Sequence, residues 1–397
     1  MAKKVRIELT KSSLLITGFT VLALVICAIM YTWNISEFVH GFNKVELASV
    51  NLSRFIDINY LVDAPYHSLQ KLSLTVFGDS SLGVRTASVI VGLISVVLFY
   101  HLLRQLTNKR ISFLASAMFA TSSWMLTISR LGSPIIMNIL WPIAIVLIAY
   151  NVYQRHMSWY WYIIAGSVLG LAAYTPRMII FVIFAIIVAI AVFHRYDATM
   201  HKTGALAGLA VFILLLSPLI YSLVISPWQI QTLIAIPEKV PSIPGIVDNT
   251  LSAVSNIGWN ADLPRYLNLG NLPLLDIATL TFAALGLIVI FTDIRAPRGW
   301  LLLSIIAGGI VIITLTPLKI VNVFFALPTI SILSGIGLFT LWTHWRAFFP
   351  KNVAARGLAL SLLSLVVLFS MSYNIERYFF AWSRVPETQA AFSDQLN

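Results

Sequence analysis

The feature that most constrains this chain is the recurrence of long apolar runs. Eleven stand out, at roughly 13–33, 86–103, 111–129, 134–153, 159–174, 178–193, 204–225, 274–292, 299–316, 320–342 and 357–373. A bilayer-spanning helix needs about 20 mostly apolar residues, somewhat fewer if its ends are anchored. Only 10% of the residues are charged and 59% are apolar. A soluble domain carries about a quarter charged residues. The composition therefore cannot supply a polar shell, and it excludes an ordinary globular enzyme and a disordered chain. It implies an all-α, polytopic helical membrane protein of about eleven spans. Tyr174-Thr-Pro-Arg177 separates the short fifth and sixth runs, and the proline favours a break there. The single cysteine, Cys27, lies inside the first run, which leaves no intrachain disulfide framework and no cysteine-based zinc site.

Charge gives the orientation. The first run follows Lys3, Lys4, Arg6 and Lys11 and is too long for a signal-peptide core, with no small-residue cleavage site after it. It reads as an uncleaved signal anchor. With the N-terminus in the cytoplasm and spans alternating, the inner loops hold fifteen Lys and Arg against three acids, a net of +12. The outer segments hold eleven basic and twelve acidic residues, a net of −1. The formal +11 is thus a topology signal that favours anionic lipid on the inner face, and it argues nothing for nucleic acid. Eleven spans place the C-terminus outside. The expected organisation is one transmembrane domain over 1–373 with a short exterior tail, 374–397.

The inner loops are short and basic. The outside carries two long loops, 34–85 and 226–273, and long loops in a compact protein are usually functional. Within the first, Val45, Ala48, Leu52 and Phe55 share one face of a helix over 43–56, and Leu69, Leu72 and Val76 do so over 64–77. Both are too short to span and are expected to lie at the interface. Six prolines, from Pro227 to Pro273, break up the second loop. It is expected to be an irregular lid with at most one short helix, near 247–256.

Several polar residues stand out. Arg85, Arg130 and Arg177, with Lys319 at the same level, sit where outer span ends meet the membrane. Such a cluster suits a lipid phosphate, and single arginines there also snorkel to headgroups. Glu46 is a candidate general base or a solvated helix-face glutamate. Asp63 is either a second candidate or the N-cap of the helix opening at Pro65. Asp57 reads as a loop residue. His67 and His40 read as structural before substrate-binding. With Glu46 they lack the tight spacing of a metal site, so neither metal nor cofactor is expected. Asp262 and Arg265 flank Pro264 and either contact a ligand or pair with each other. Trp228 and Trp259 suit a sugar ring or a membrane anchor. Asn34-Ile-Ser and Asn51-Leu-Ser match the glycan-acceptor pattern.

Together the segments carry a resemblance. Asp63-Ala-Pro-Tyr-His, Val76-Phe-Gly and Val84-Arg-Thr-Ala-Ser resemble a helix start, turn and second helix start of the GT-C membrane glycosyltransferases. The similar branch contains the protein O-mannosyltransferases and the lipid A aminoarabinose transferase. Thr121-Ser-Ser-Trp, Ser129-Arg-Leu-Gly-Ser-Pro134, Gly170-Leu-Ala-Ala-Tyr-Thr-Pro-Arg177 and Tyr266-Leu-Asn-Leu-Gly-Asn-Leu-Pro extend the resemblance across about 40–340. It implies transfer of a sugar from a polyprenyl-phosphate-linked donor to an exterior acceptor hydroxyl in the cell envelope. Inversion, a carboxylate base and cations for the departing phosphate go with that chemistry. Carried onto this chain, it points to Glu46 and Asp63 as catalytic. Arg85, Arg130, Arg177, Tyr66, His67, Asp262, Arg265 and Lys319 would bind substrate. Val45 stands where the family's aspartate is expected, which keeps a catalytically silent lipid-sugar-binding protein open. A transporter or lipid flippase is the other alternative, although no Asp, Glu, Lys or Arg falls in the middle of a span.

Overall fold

The computed structural model describes residues 11–39, 41–154, 158–195, 201–234, 242–292, 303, 306–310 and 324–395. Among them all regular structure is helical, apart from two isolated bridges. The chain opens with α1 (Lys11–Thr32), α2 (Lys44–Arg54), α3 (Ala64–Phe77), α4 (Ser81–Leu106), α5 (Lys109–Thr121) and α6 (Ser123–Ser129). A short turn at Pro134–Ile136 leads into α7 (Met137–Gln154), then α8 (Trp159–Ala172), α9 (Met178–Arg195) and α10 (Lys202–Ile225). There follow α11 (Gln229–Ile234), α12 (Ile243–Gly258), α13 (Ile277–Thr292), α14 (Ala326–Phe348), α15 (Val353–Glu376) and α16 (Pro386–Ala391).

Among the described residues, five helices are long and apolar enough to cross a bilayer, and six if the bent pair α5–α6 counts as one crossing. Four shorter apolar segments, Val21–Thr32, Trp159–Ala172, Met178–Ala191 and Ile277–Thr292, add to them. Each apolar run of the sequence thus has its helix, except 299–316, which lies largely outside the described residues. The core runs along α4–α7, α13 and α14. Helix α13 lies along α14 so closely that a Cβ on Gly337 would run into the Phe282 carbonyl oxygen.

Two expectations need correction. The run 111–129 is broken: α5 and α6 meet at 59°. Ser122 is extended there (φ −57°, ψ 138°) and its hydroxyl accepts from Met125 N–H, so it ends one helix and caps the next. The second long loop is also more regular than its prolines suggested, with both α11 and α12. Pro244 falls in the first turn of α12, where no amide donor is needed, and Ser242 caps that turn. The proline starts this helix instead of breaking it.

The two helices of the first loop form as expected, with an inverted lining. Leu52, Phe55, Leu72, Val76 and Phe77 face outward, while the buried face of α2 is Glu46, Ser49, Val50 and Ser53. The polar side turns inward, where its groups find hydrogen-bond partners. Beyond α15 the chain folds back over this loop. Phe42 N–H donates to Asp394 O (2.9 Å) and Asp394 N–H to Phe42 O (3.2 Å). Gly41 precedes this bridge at φ +87°, and a Cβ there would collide with the Phe392 carbonyl oxygen.

Candidate functional site

Helix α2 begins with a capping box. Asn43 accepts from Glu46 N–H (2.8 Å) and the Glu46 carboxylate accepts from Asn43 N–H (3.2 Å). Arg85 Nε donates to Glu46 Oε1 (2.8 Å), Arg85 Nη2 to Oε2 (3.2 Å), and Gly132 N–H to Oε1 (3.0 Å). Glu46 is fully buried. Four donors on two oxygens leave no lone pair facing a substrate. In this arrangement Glu46 braces α2, α4 and the turn after α6.

Arg85 is used up in the same way, with Nη1 on Ile35 O (2.8 Å) and Nη2 also on Gly41 O (2.9 Å). Arg130 donates to Met30 O (2.8 Å) and Trp33 O (2.7 Å) at the C-terminal end of α1. A cation is favoured at that end of a helix dipole. Its guanidinium also stacks on Phe38, Tyr378 and Phe379 at 4.6–5.5 Å. Arg85 and Arg130 come near each other around Tyr378.

The other first-loop candidates also point inward. Tyr66 is fully buried with its hydroxyl 2.7 Å from Ser88 Oγ. His67 Nδ1 lies 2.8 Å from Ser53 Oγ, and Ser53 and Ser49 donate to Gln70 Oε1 at 2.6 and 2.7 Å. Burial pushes the His67 pKa down to about 4, so the imidazole is neutral. Asp262 and Arg265 are exposed and form no ion pair, which answers the sequence question of whether they bind each other. Lys319 and His40 lie outside the described residues.

Asp63 is different. It occupies the N-cap position of α3, yet its side chain makes no capping bond. Its backbone is left-handed (φ +56°), uncommon for a residue with a side chain. Asp63 N–H is tied to Tyr174 O (2.9 Å), and carboxylate oxygen Oδ1 is buried without a partner. Burial raises its pKa from the ordinary 3.8 to about 7, opposed by the Thr175 hydroxyl. Trp141 Nε1 donates to Thr175 Oγ1 (2.9 Å), which leaves the Thr175 proton free for the carboxylate. A carboxyl group half ionised near neutrality suits a general base.

Arg177 ends the same turn, again left-handed (φ +68°), with N–H on Leu233 O (2.6 Å). It is buried, Nε lacks a partner, and among the described residues nothing pairs with its guanidinium. A strained carboxylate and a strained, uncommitted cation thus flank one turn. At the rim, Tyr60 stacks on Trp228 with ring centroids 5.5 Å apart and planes at 12°. Trp228 is 61% exposed. Two apolar grooves run between helices: about 300 Å³ among α7–α10 and about 810 Å³ among α13–α15. The sequence reading missed Trp141 and Thr175. Trp141 sits in an unbroken apolar run, and nothing there marks its indole as a donor to a polar turn.

The described residues thus form an all-α arrangement of apolar helices with a polar loop face. Residues 65–221 match the sequence profile of a family described as dolichyl-phosphate-mannose-protein mannosyltransferase. The fold is similar to ArnT from Cupriavidus metallidurans bound to undecaprenyl phosphate (TM-score 0.62, 14% identity, 94% of this chain and 77% of that one). It is also similar to apo ArnT from the same organism (0.55, 12%, 95% and 76%). A third likeness is to the oligosaccharyltransferase AglB from Archaeoglobus fulgidus, in complex with an inhibitory peptide and a dolichol-phosphate (0.55, 14%, 96% and 57%). No curated protein sequence matches the chain.

Proposed function

We propose that this protein moves a sugar from a polyprenyl-phosphate-linked donor to an acceptor hydroxyl on the exterior side of a cell membrane, inverting the anomeric centre. Asp63 takes the acceptor proton as the hydroxyl oxygen attacks the anomeric carbon. The bond from that carbon to the phosphate oxygen breaks, and Arg177 receives the charge left on the lipid phosphate. The tail lies along the apolar groove of α7–α10, whose helix α9 begins one residue after Arg177. Glu46, Arg85 and Arg130 hold the loop face in shape, and Trp228 offers an aromatic face to the sugar.

The observation that carries this reading is the Asp63 carboxylate, its oxygen Oδ1 buried without a partner, tied by its backbone to the turn that carries Arg177. The fold and the family profile support the donor class, because the similar ArnT and AglB structures hold undecaprenyl phosphate and dolichol-phosphate. The test is turnover of a polyprenyl-phosphate mannose carrying radiolabelled sugar by the purified protein. Free lipid phosphate should appear with the native protein and not with Asp63→Asn. Full turnover by that variant removes Asp63 from the mechanism, and an inert native protein leaves the lipid-sugar-binding alternative.

A further inference from the structure

We infer that Gln229 is a positioning residue: through Gln229, helix α11 holds the turn that sets the Asp63 carboxylate, while the far end of α11 holds Arg177. This rests on the reading of Asp63 as the base.

The side chain of Gln229 is fully buried although it lies in the second long loop. Its Nε2 donates to Asn59 O (2.5 Å), and its Oε1 accepts from Leu61 N–H (3.3 Å). One amide thereby replaces a strand partner for the segment that runs into Asp63. Ser222 of α10 fixes the amide by donating to Oε1 (3.2 Å). One turn further, Leu233 O accepts Arg177 N–H (2.6 Å). The two left-handed residues of the candidate site are thus bracketed by the two ends of a six-residue helix. Strained backbone persists only where its surroundings over-determine it. For Asp63 those surroundings are Tyr174 O on one side and the Gln229 clamp on the other. Leu61, Val62, Ala173, Tyr174, Leu219 and Leu233 seal the joint as one small apolar cluster.

The groups that face Asp63 are few. Tyr60 on its own loop and Tyr66 on α3 feel its charge, Thr175 offers a hydroxyl, and Arg177 forms no ion pair with it. α11 itself brings no ionisable side chain. Loosening the clamp therefore changes Asp63 by letting water reach its carboxylate, with no charge of α11 involved. It should drop its pKa toward the ordinary carboxylate value.

The experiment is pH-difference infrared spectroscopy of the full-length protein in detergent, following the carbonyl stretch of the protonated acid. A band lost in Asp63→Asn identifies Asp63. In Gln229→Ala and Gln229→Leu that band should titrate at lower pH, and turnover of the polyprenyl-phosphate mannose should fall at least tenfold in kcat with little change in KM. An unchanged midpoint in folded Gln229→Ala and Gln229→Leu overturns the inference while leaving Asp63 as base. An active Asp63→Asn overturns the base assignment, whatever the Gln229 variants do.

Discussion

The guanidinium of Arg85 meets the carboxylate of Glu46 through two parallel hydrogen bonds in a site that water does not reach. A buried pair of this kind is fragile to removal of one partner, which costs about 3–5 kcal/mol because the other charge stays buried alone. Arg85→Met and Glu46→Gln should each lower the thermal midpoint of the detergent-solubilised protein. Their combination should lose less than the sum, and a double-mutant cycle measures the difference.

Asp63 carries a stability signature as well as a catalytic one. Its carboxyl titrates at about 7 in the folded protein against 3.8 ordinarily. Between those values the folded state keeps a proton that the unfolded chain releases, so stability falls as pH rises through that window. Asp63→Asn should therefore melt higher than the native protein on the alkaline side and equally at the acidic end. Melting curves across that range check it, and a pH-independent difference refutes the shifted carboxyl. The same variant should lose about 10²–10⁴-fold in turnover.

Arg177 should bind the phosphate of the lipid. A hydrogen bond to a charged group is worth about 1.5–3 kcal/mol, so Arg177→Ala should weaken polyprenyl phosphate roughly tenfold to a hundredfold. Arg177→Lys should recover only part of this, since an ammonium lacks the planar fork. Binding of fluorescent polyprenyl phosphate in nanodiscs reads both. Arg85→Lys and Arg130→Lys belong in the same series, and loss of lipid binding in those with full binding by Arg177→Ala would reverse the assignment.

Gly41 is a steric pin for the returning chain. Gly41→Ala adds a Cβ against Phe392 O at a backbone angle that disfavours side chains. The segment after Arg384 should come loose, and limited proteolysis should cleave it faster than in the native protein. Gly78→Ala is the control, also at positive φ but with open space around it.

The apolar helices were legible because apolar runs of this length have few other uses, and the helices of 43–56 and 64–77 were legible from their spacing. Period alone did not reveal which face of α2 would be buried, because beside a bilayer the apolar face can point outward and leave Glu46, Ser49 and Ser53 inside. Glu46 was visible as a carboxylate in the right loop. The four donors that occupy it come from α2 itself, α4 and the turn after α6, and only the fold brings them together. Asp63 read as a cap from its place before Pro65, and its left-handed backbone took it out of capping range. Gln229 looked like one polar residue in a proline-rich loop. Its significance lies in backbone groups far back in the sequence, at Asn59 and Leu61.

The bridge between Phe42 and Asp394 has a consequence for biogenesis. A ribosome delivers Phe42 early and Asp394 only after the helices between them, so the brace around Glu46 and Arg85 gains this cover only once those helices have been made. Until then Phe42 and Phe392, which flank the Arg85 guanidinium in the finished protein, are apart. A chain stalled or clipped before this closure would carry the helices that precede it and an unfinished loop face, and quality-control proteases could tell the two states apart by that exposed seam.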